Sequence, residues 1–236
     1  MTTPAVSFAN DATTAVTLDG PAGPLEAVAE GPEGDAATRP VVAIVCHPLP
    51  TEGGSMHNKV VTMAARALRE CGVSTVRFNF RGVGASAGKF DDGQGEADDL
   101  RAVAAWVRAQ RPDAQLWLAG FSFGAYVSLK VAAQLRPGML ISIAPPAGRS
   151  WDFAAIAVPE CPWLVIQGEA DEIVDPAAVY AWLDGLTQLR QLPELVRMPD
   201  TSHFFHRRLM DLRGAIKNGV RPYLPDPSVP AAAPDA

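Results

Sequence analysis

Short, wholly apolar runs alternating with amphipathic helical patterns constrain this chain more than any other feature. Val41–Cys46 (VVAIVC) has no polar position, so it reads as a strand covered on both faces rather than a half-exposed one. Asn58–Glu70 then places Val61, Ala64, Ala65 and Leu68 on one helical stripe, with Gly72 as the stop. Val73–Phe80 reads as the next strand. Gly95–Arg108 reads as a helix with acids first (Glu96, Asp98, Asp99) and arginines later (Arg101, Arg108), as the helix dipole favours. The pattern continues with a strand at Leu116–Ala119, a helix at Gly124–Leu135 and strands at Met139–Ile143 and Leu164–Gln167. Asp175-Pro176 opens a helix over Ala177–Leu186, Leu195–Met198 is a strand, and Phe204–Asn218 is a last helix closed by Gly219. This alternation predicts an α/β fold: a mostly parallel twisted sheet with helices on both faces. In such sheets ligands bind in the loops at the carboxyl ends of the strands.

The 236 residues suit a single domain, expected over 14–222. Residues 1–13 are small and polar and residues 223–236 are rich in Pro and Ala, so both ends read as disordered. Gly31–Pro40 is a loop between an early pair of β-like segments and the main body. A hydrophobic content of 48% with 19% charged residues excludes a wholly disordered chain. The net charge of -6 disfavours nucleic acid and anionic membranes as partners. No apolar run approaches the roughly 20 residues of a membrane span. MTTPAVSFANDATT lacks the basic start and apolar core of a secretory signal, so the expected location is cytoplasmic. Cys46, Cys71 and Cys161 are three cysteines without CxxC spacing, which suggests neither a disulfide framework nor a zinc site.

Gly120-Phe121-Ser122-Phe123-Gly124 fits G-x-S-x-G between the strand LWLA and the helix AYVSLKVAAQL. A serine on so tight a turn needs small neighbours two residues away on each side, and the following helix N-terminus favours a developing oxyanion. The alternative is a glycine-bounded turn whose serine only caps the helix; the strand–turn–helix context weighs against it. A serine hydroxyl needs a base, and a histidine base needs a carboxylate to fix its tautomer. After Ser122 only His203 and His206 remain, and the chain order for such a turn is Ser, acid, His. His203 lies in the carboxyl-end loop MPDTSH, whereas His206 falls within the predicted helix, so His203 is preferred. Asp171 follows the strand WLVIQG and is the preferred acid. Asp175 reads as a helix cap, Glu169 and Glu172 as surface charges, and Asp200 as a weaker rival in the histidine's own loop.

CHPLPTEGGSMHNKVV, RFNFRGVGASAGKFDDGQGEADD and LAGFSFGAYV together resemble the α/β-hydrolase superfamily over about Val41–Val220. The resemblance is to a bacterial group of small, capless serine hydrolases related to dienelactone hydrolases. It implies Ser122 as nucleophile, Asp171 as acid and His203 as base. Dienelactone hydrolases proper use a cysteine where this chain has Ser122, so dienelactone activity itself does not follow.

Two N–H donors are expected to form an oxyanion hole. Phe123 supplies one. In the loop His47-Pro48-Leu49-Pro50-Thr51 the prolines have no N–H, which leaves Leu49 first and Thr51 second. His47 reads as a buried hydrogen-bonding residue and Gly53-Gly54 as a sharp turn. His57, Asn58 and Lys59 read as cap and surface. His47, His57 and His203 lack an acid or cysteine at metal-ligand spacing, so no metal and no cofactor are expected. Arg81–Ser86 has two glycines but no phosphate-loop ending, and reads as a tight supporting turn.

The stretch between Ile143 and Trp163 is too short for a cap domain and is expected to hold one short helix near Trp151–Ile156. Phe121, Trp151 and Phe153, with Phe123, are the candidates for lining an apolar substrate cleft. The expected function is a carboxylesterase-type serine hydrolase acting on small to medium acyl esters with water. A lactone, thioester or amide hydrolase with the same triad is the alternative, and a binding protein on the same fold is the reading from a different class. Nothing in the sequence excludes a homodimer through an exposed face.

Overall fold

The computed structural model describes residues 6–227 apart from 158, 187, 188 and 190. Its centre is an eight-stranded sheet in the order β1-β2-β4-β3-β5-β6-β7-β8. The strands are β1 (Thr13–Gly20), β2 (Gly23–Glu30), β3 (Val41–Cys46), β4 (Ser74–Phe78), β5 (Gln115–Phe121), β6 (Met139–Ile143), β7 (Trp163–Gly168) and β8 (Glu194–Met198). The hairpin β1–β2 and the β2–β4 pair are antiparallel, and every pairing from β4 to β8 is parallel. Among the described residues four α-helices lie between strands, α1 (Lys59–Arg69), α2 (Gly95–Gln110), α3 (Phe123–Leu135) and α4 (Pro176–Asp184), and α5 (Leu209–Val220) follows β8.

The unbroken apolar strands follow from burial on both faces. Val42, Ile44 and Cys46 of β3 point into one core layer with Leu100, Val103 and Val127 of α2 and α3. Val41, Ala43 and Val45 point into the other, with Val61 and Leu68 of α1 and Leu212 and Ile216 of α5. Each layer needs only the strand's two-residue period, and together they need every position apolar. In β5, Leu116 and Leu118 face the first layer, whereas Trp117, Ala119 and Phe121 face the second.

Three expectations are corrected. The predicted helix near Trp151–Ile156 is a series of bends and turns, and no helix or strand occurs among the described residues of 144–162. Aromatic contacts hold this segment instead: Phe153 packs on Tyr126 of α3 and Trp182 of α4, with ring centroids 5.5 and 4.8 Å apart. The last helix begins at Leu209, not Phe204, because Phe205 and Arg207 adopt positive φ (54° and 59°), which no right-handed helix accommodates. Gly219 lies inside α5, where an added Cβ would press on Leu164, so it serves close helix–sheet packing rather than termination.

Of the ends expected to be disordered, residues 1–5 and 228–236 lie outside the described residues. Residues 6–13 and 223–227 are tied down: Phe8 is buried in the core, the Asp11 N–H donates to Pro32 O, and Arg39 donates to the Pro225 carbonyl. No described helix is long and apolar enough to cross a membrane.

Candidate active site

Ser122 is the junction residue between β5 and α3, with φ 52° and ψ -119°. Its N–H donates to Ile143 O at 2.8 Å, and its carbonyl accepts from Ala125 and Tyr126 in the first turn of α3. The flanking glycines make the turn possible. A Cβ at Gly120 would overlap the Gly124 carbonyl, and one at Gly124 would overlap the Cys46 carbonyl. Strand, helix and β3 therefore meet backbone to backbone, and the serine side chain is pushed out at the strand ends.

The His203 ring meets that side chain, with Nε2 3.1 Å from Ser122 Oγ. On the far side of the ring, Nδ1 lies 2.9 Å from Asp171 Oδ2. Ser122, His203 and Asp171 are all buried. Asp171 is fully occupied: Oδ2 also accepts from Gln167 Nε2 (2.9 Å), and Oδ1 accepts from the N–H groups of Ile173 (2.9 Å) and Val174 (2.8 Å). Burial pushes its carboxyl up, but His203 and the Val174 and Ile173 N–H groups outweigh burial and hold it below the usual carboxylate value. An ionised Asp171 fixes Nδ1 as the protonated nitrogen, which leaves Nε2 free to accept from Ser122.

The loops carrying acid and base are sewn together. The Glu169 N–H donates to Met198 O, the Ala170 N–H to Thr201 O, and the His203 N–H to Glu172 Oε2. Gly168 permits this approach, since a Cβ there would overlap the Thr201 carbonyl. The rivals are placed elsewhere. Asp175 caps α4 through Ala177, and Asp200 and His206 are exposed.

The loop after β3 forms the opposite wall. His47 is wholly buried; its Nε2 accepts from the Phe80 N–H (3.0 Å), so Nδ1 carries the proton donated to Pro48 O (2.6 Å). Leu49 O accepts from Glu52 and Gly54, and the Leu49 N–H makes no hydrogen bond among the described residues. The Phe123 N–H belongs to the first turn of α3, where helix geometry supplies no i−4 partner. Further along, Met56 is gripped twice from β4 and its exit: its carbonyl accepts from Arg77 Nη1 (2.6 Å) and its N–H donates to Asn79 Oδ1 (2.8 Å). Arg77 is paired with Glu30, and Asn79 donates to Glu26. The Arg81–Ser86 turn closes this network through Ser86 Oγ, which donates to Asn79 O, and the Ala85 N–H, which donates to Glu26. None of these supports carries a local sequence signature, because each joins segments distant in the chain.

Above Ser122 and His203 lies a cleft of about 420 Å³. Leu49, Glu52 and Asn58 line one side, Pro146, Arg149 and Trp151 another, and Ile173, Val174 and Phe204 the rim beside the base. Thr51 is exposed and does not line it. Of the expected lining residues, Trp151 is at the cleft; its indole donates to Asp92 Oδ1 (3.1 Å) and packs on Phe123. Phe121 is a correction: it faces the α1/α5 layer, fully buried, 5.0 Å from the His203 ring and behind the base. Phe153 is another, buried among Tyr126 and Trp182. Phe123 likewise is core. No group of three or more metal-binding side chains occurs among the described residues.

Comparison with known proteins agrees with this fold. The serine aminopeptidase S33 family model matches residues 42–160. The chain is 70% identical to an α/β serine hydrolase without lid from Xanthomonas campestris, covering 91% of this chain and 96% of that one, with a TM-score of 0.86. It is 44% identical to an α/β serine hydrolase homologue from Coxiella burnetii, over 88% of this chain and 97% of that one, with a TM-score of 0.82. An uncharacterised protein of Rickettsia prowazekii (strain Madrid E) is 40% identical over 157 residues; the match spans 61% of this chain and 66% of that relative's length.

Proposed function

The chain belongs to the α/β-hydrolase superfamily, matching its serine aminopeptidase S33 family, and from that premise we propose that it is a serine hydrolase of carboxylesterase type acting on small to medium acyl esters. The observation that carries this is the unbroken chain Ser122 Oγ–His203 Nε2, His203 Nδ1–Asp171 Oδ2 at the floor of an open cleft. In this reading Ser122 Oγ bonds to the ester carbonyl carbon while its proton passes to His203 Nε2. The carbonyl electron pair moves onto oxygen, where the N–H groups of Phe123 and Leu49 receive it. The carbonyl re-forms, the C–O bond to the alcohol breaks, and the alcohol leaves with the proton from His203. A water then gives its proton to His203, bonds to the acyl carbon, and releases the acid while Ser122 regains its proton. Asp171 stays ionised and holds the imidazolium throughout.

The family model's description keeps an amide bond in the same machinery as the second reading. The lidless opening and the short segment across 144–162 support esters of modest size. With 4-nitrophenyl acetate in excess, wild type should give a burst near one equivalent of nitrophenol, then a slower steady state, and Ser122→Ala should give neither. A burst retained in Ser122→Ala would refute the reading.

A further inference from the structure

The cleft contains a cation that the ester reaction leaves unused. Arg149 lines it together with Ser122 and His203, and forms no ion pair with a carboxylate among the described residues. Its position is nevertheless defined. The turn Pro145–Arg149 closes through the Ala147 N–H on Pro145 O and the Arg149 N–H on Pro146 O, with Gly148 at φ 79°. The guanidinium itself donates from Nη1 to Ile173 O at 3.1 Å, two residues beyond the acid. A guanidinium has five N–H donors in a fixed fork, so one anchoring bond leaves the others for a ligand. The planar fork matches a carboxylate with two parallel hydrogen bonds. Glu52 also lines the cleft, but its side chain makes no hydrogen bond or ion pair among the described residues and is exposed to water. Both side chains reach water, but Glu52 has no partner to hold it over the cleft, whereas Arg149 has the bond to Ile173 O.

We infer that Arg149 is a carboxylate-binding residue of the cleft, and that the preferred substrates are acyl esters bearing a second, ionised carboxylate. This rests on the serine hydrolase reading for turnover, but not for binding. Pro146 and Trp151, beside Arg149, and Ile173 and Phe204 at the rim supply an apolar path for the carbons between the ester and the charge.

The test uses matched pairs that differ at one end group, a free carboxylate against its neutral methyl ester. On the acyl side the pair is mono-4-nitrophenyl glutarate and 4-nitrophenyl methyl glutarate. On the alcohol side it is the butyrate esters of 4-hydroxybenzoate and of its methyl ester. Wild type should favour the anion in kcat/KM by about tenfold in at least one pair. Arg149→Gln should bring that ratio near one, and Arg149→Lys should keep part of it. A wild-type ratio near or below one in both pairs, or a ratio unmoved by Arg149→Gln, overturns the inference. Calorimetry separates this from failure of the hydrolase reading. Ser122→Ala should bind monomethyl glutarate more tightly than dimethyl glutarate, and Ser122→Ala/Arg149→Gln should lose the difference. Equal binding of the two by Ser122→Ala overturns the inference whether or not wild type turns over any ester.

Discussion

At the scale of single residues, the strongest constraint is on Ser122. Its φ of 52° with ψ of -119° is a region that side chains avoid at a cost of about 1–3 kcal/mol. Ser122→Gly should therefore raise the melting temperature while abolishing ester turnover; a lower melting temperature would contradict the strain. His203→Ala should reduce kcat/KM on the order of 10⁴-fold, and the exposed His206→Ala should leave it within about twofold. Parallel ester assays decide between the two histidines. The triad candidates were readable because each follows a short strand in the required order. The cleft was not, since an aromatic beside a nucleophile can face either layer. Phe121 follows the parity of β5 into the α1/α5 layer, and only the register reveals it. Arg149 gave no sequence signal at all, being an ordinary charge in a Pro/Gly turn.

Elements matter through how their ends approach one another. β5, α3 and β3 touch at Gly120 and Gly124, so Gly120→Ala should destabilise the protein by about 3 kcal/mol, measured by denaturant unfolding. The loop after β3 depends on His47. Burial lowers its pKa to about 4 from 6.5, against the opposing pull of the Pro48 carbonyl. The folded pKa lies below the unfolded one, so unfolded chains bind the proton first and stability is lost as pH is lowered between these values. This contribution is complete above about pH 6.5 and is lost towards pH 4; the separation corresponds to about 3 kcal/mol. His47→Gln should flatten the melting temperature across that interval, and an unchanged slope would show that another group sets it. Strand and helix existence was legible from periodicity, while ends were not. The start of α5 is displaced to Leu209 by positive-φ residues whose conformation is imposed by the loop that positions His203.

The whole molecule is a sheet covered on both faces with its candidate site at the carboxyl ends of the strands. Both sheet faces are covered, and the parallel strands β3, β5, β6, β7 and β8 deliver their loops to the same side. That architecture was legible because wholly apolar strands admit only a sheet covered on both faces. The segment 144–162 is spent on aromatic anchorage to α3 and α4, which leaves the cleft open. Activity should accordingly fall as unbranched acyl chains lengthen beyond about eight carbons, a range set by a cleft at the small end of the roughly 300–1,000 Å³ of ligand pockets. A rising kcat/KM with long chains in a 4-nitrophenyl ester series would contradict an open, shallow site.

Everything in the proposed reaction depends on activation of Ser122 by His203 and Asp171. Intact-mass analysis after treatment with a fluorophosphonate tests it without knowledge of the substrate. Wild type should take one adduct per chain, Ser122→Ala none, and labelling of His203→Ala should be strongly slowed. Folded wild-type protein that takes no adduct, or a Ser122→Ala variant that labels as wild type does, would contradict it.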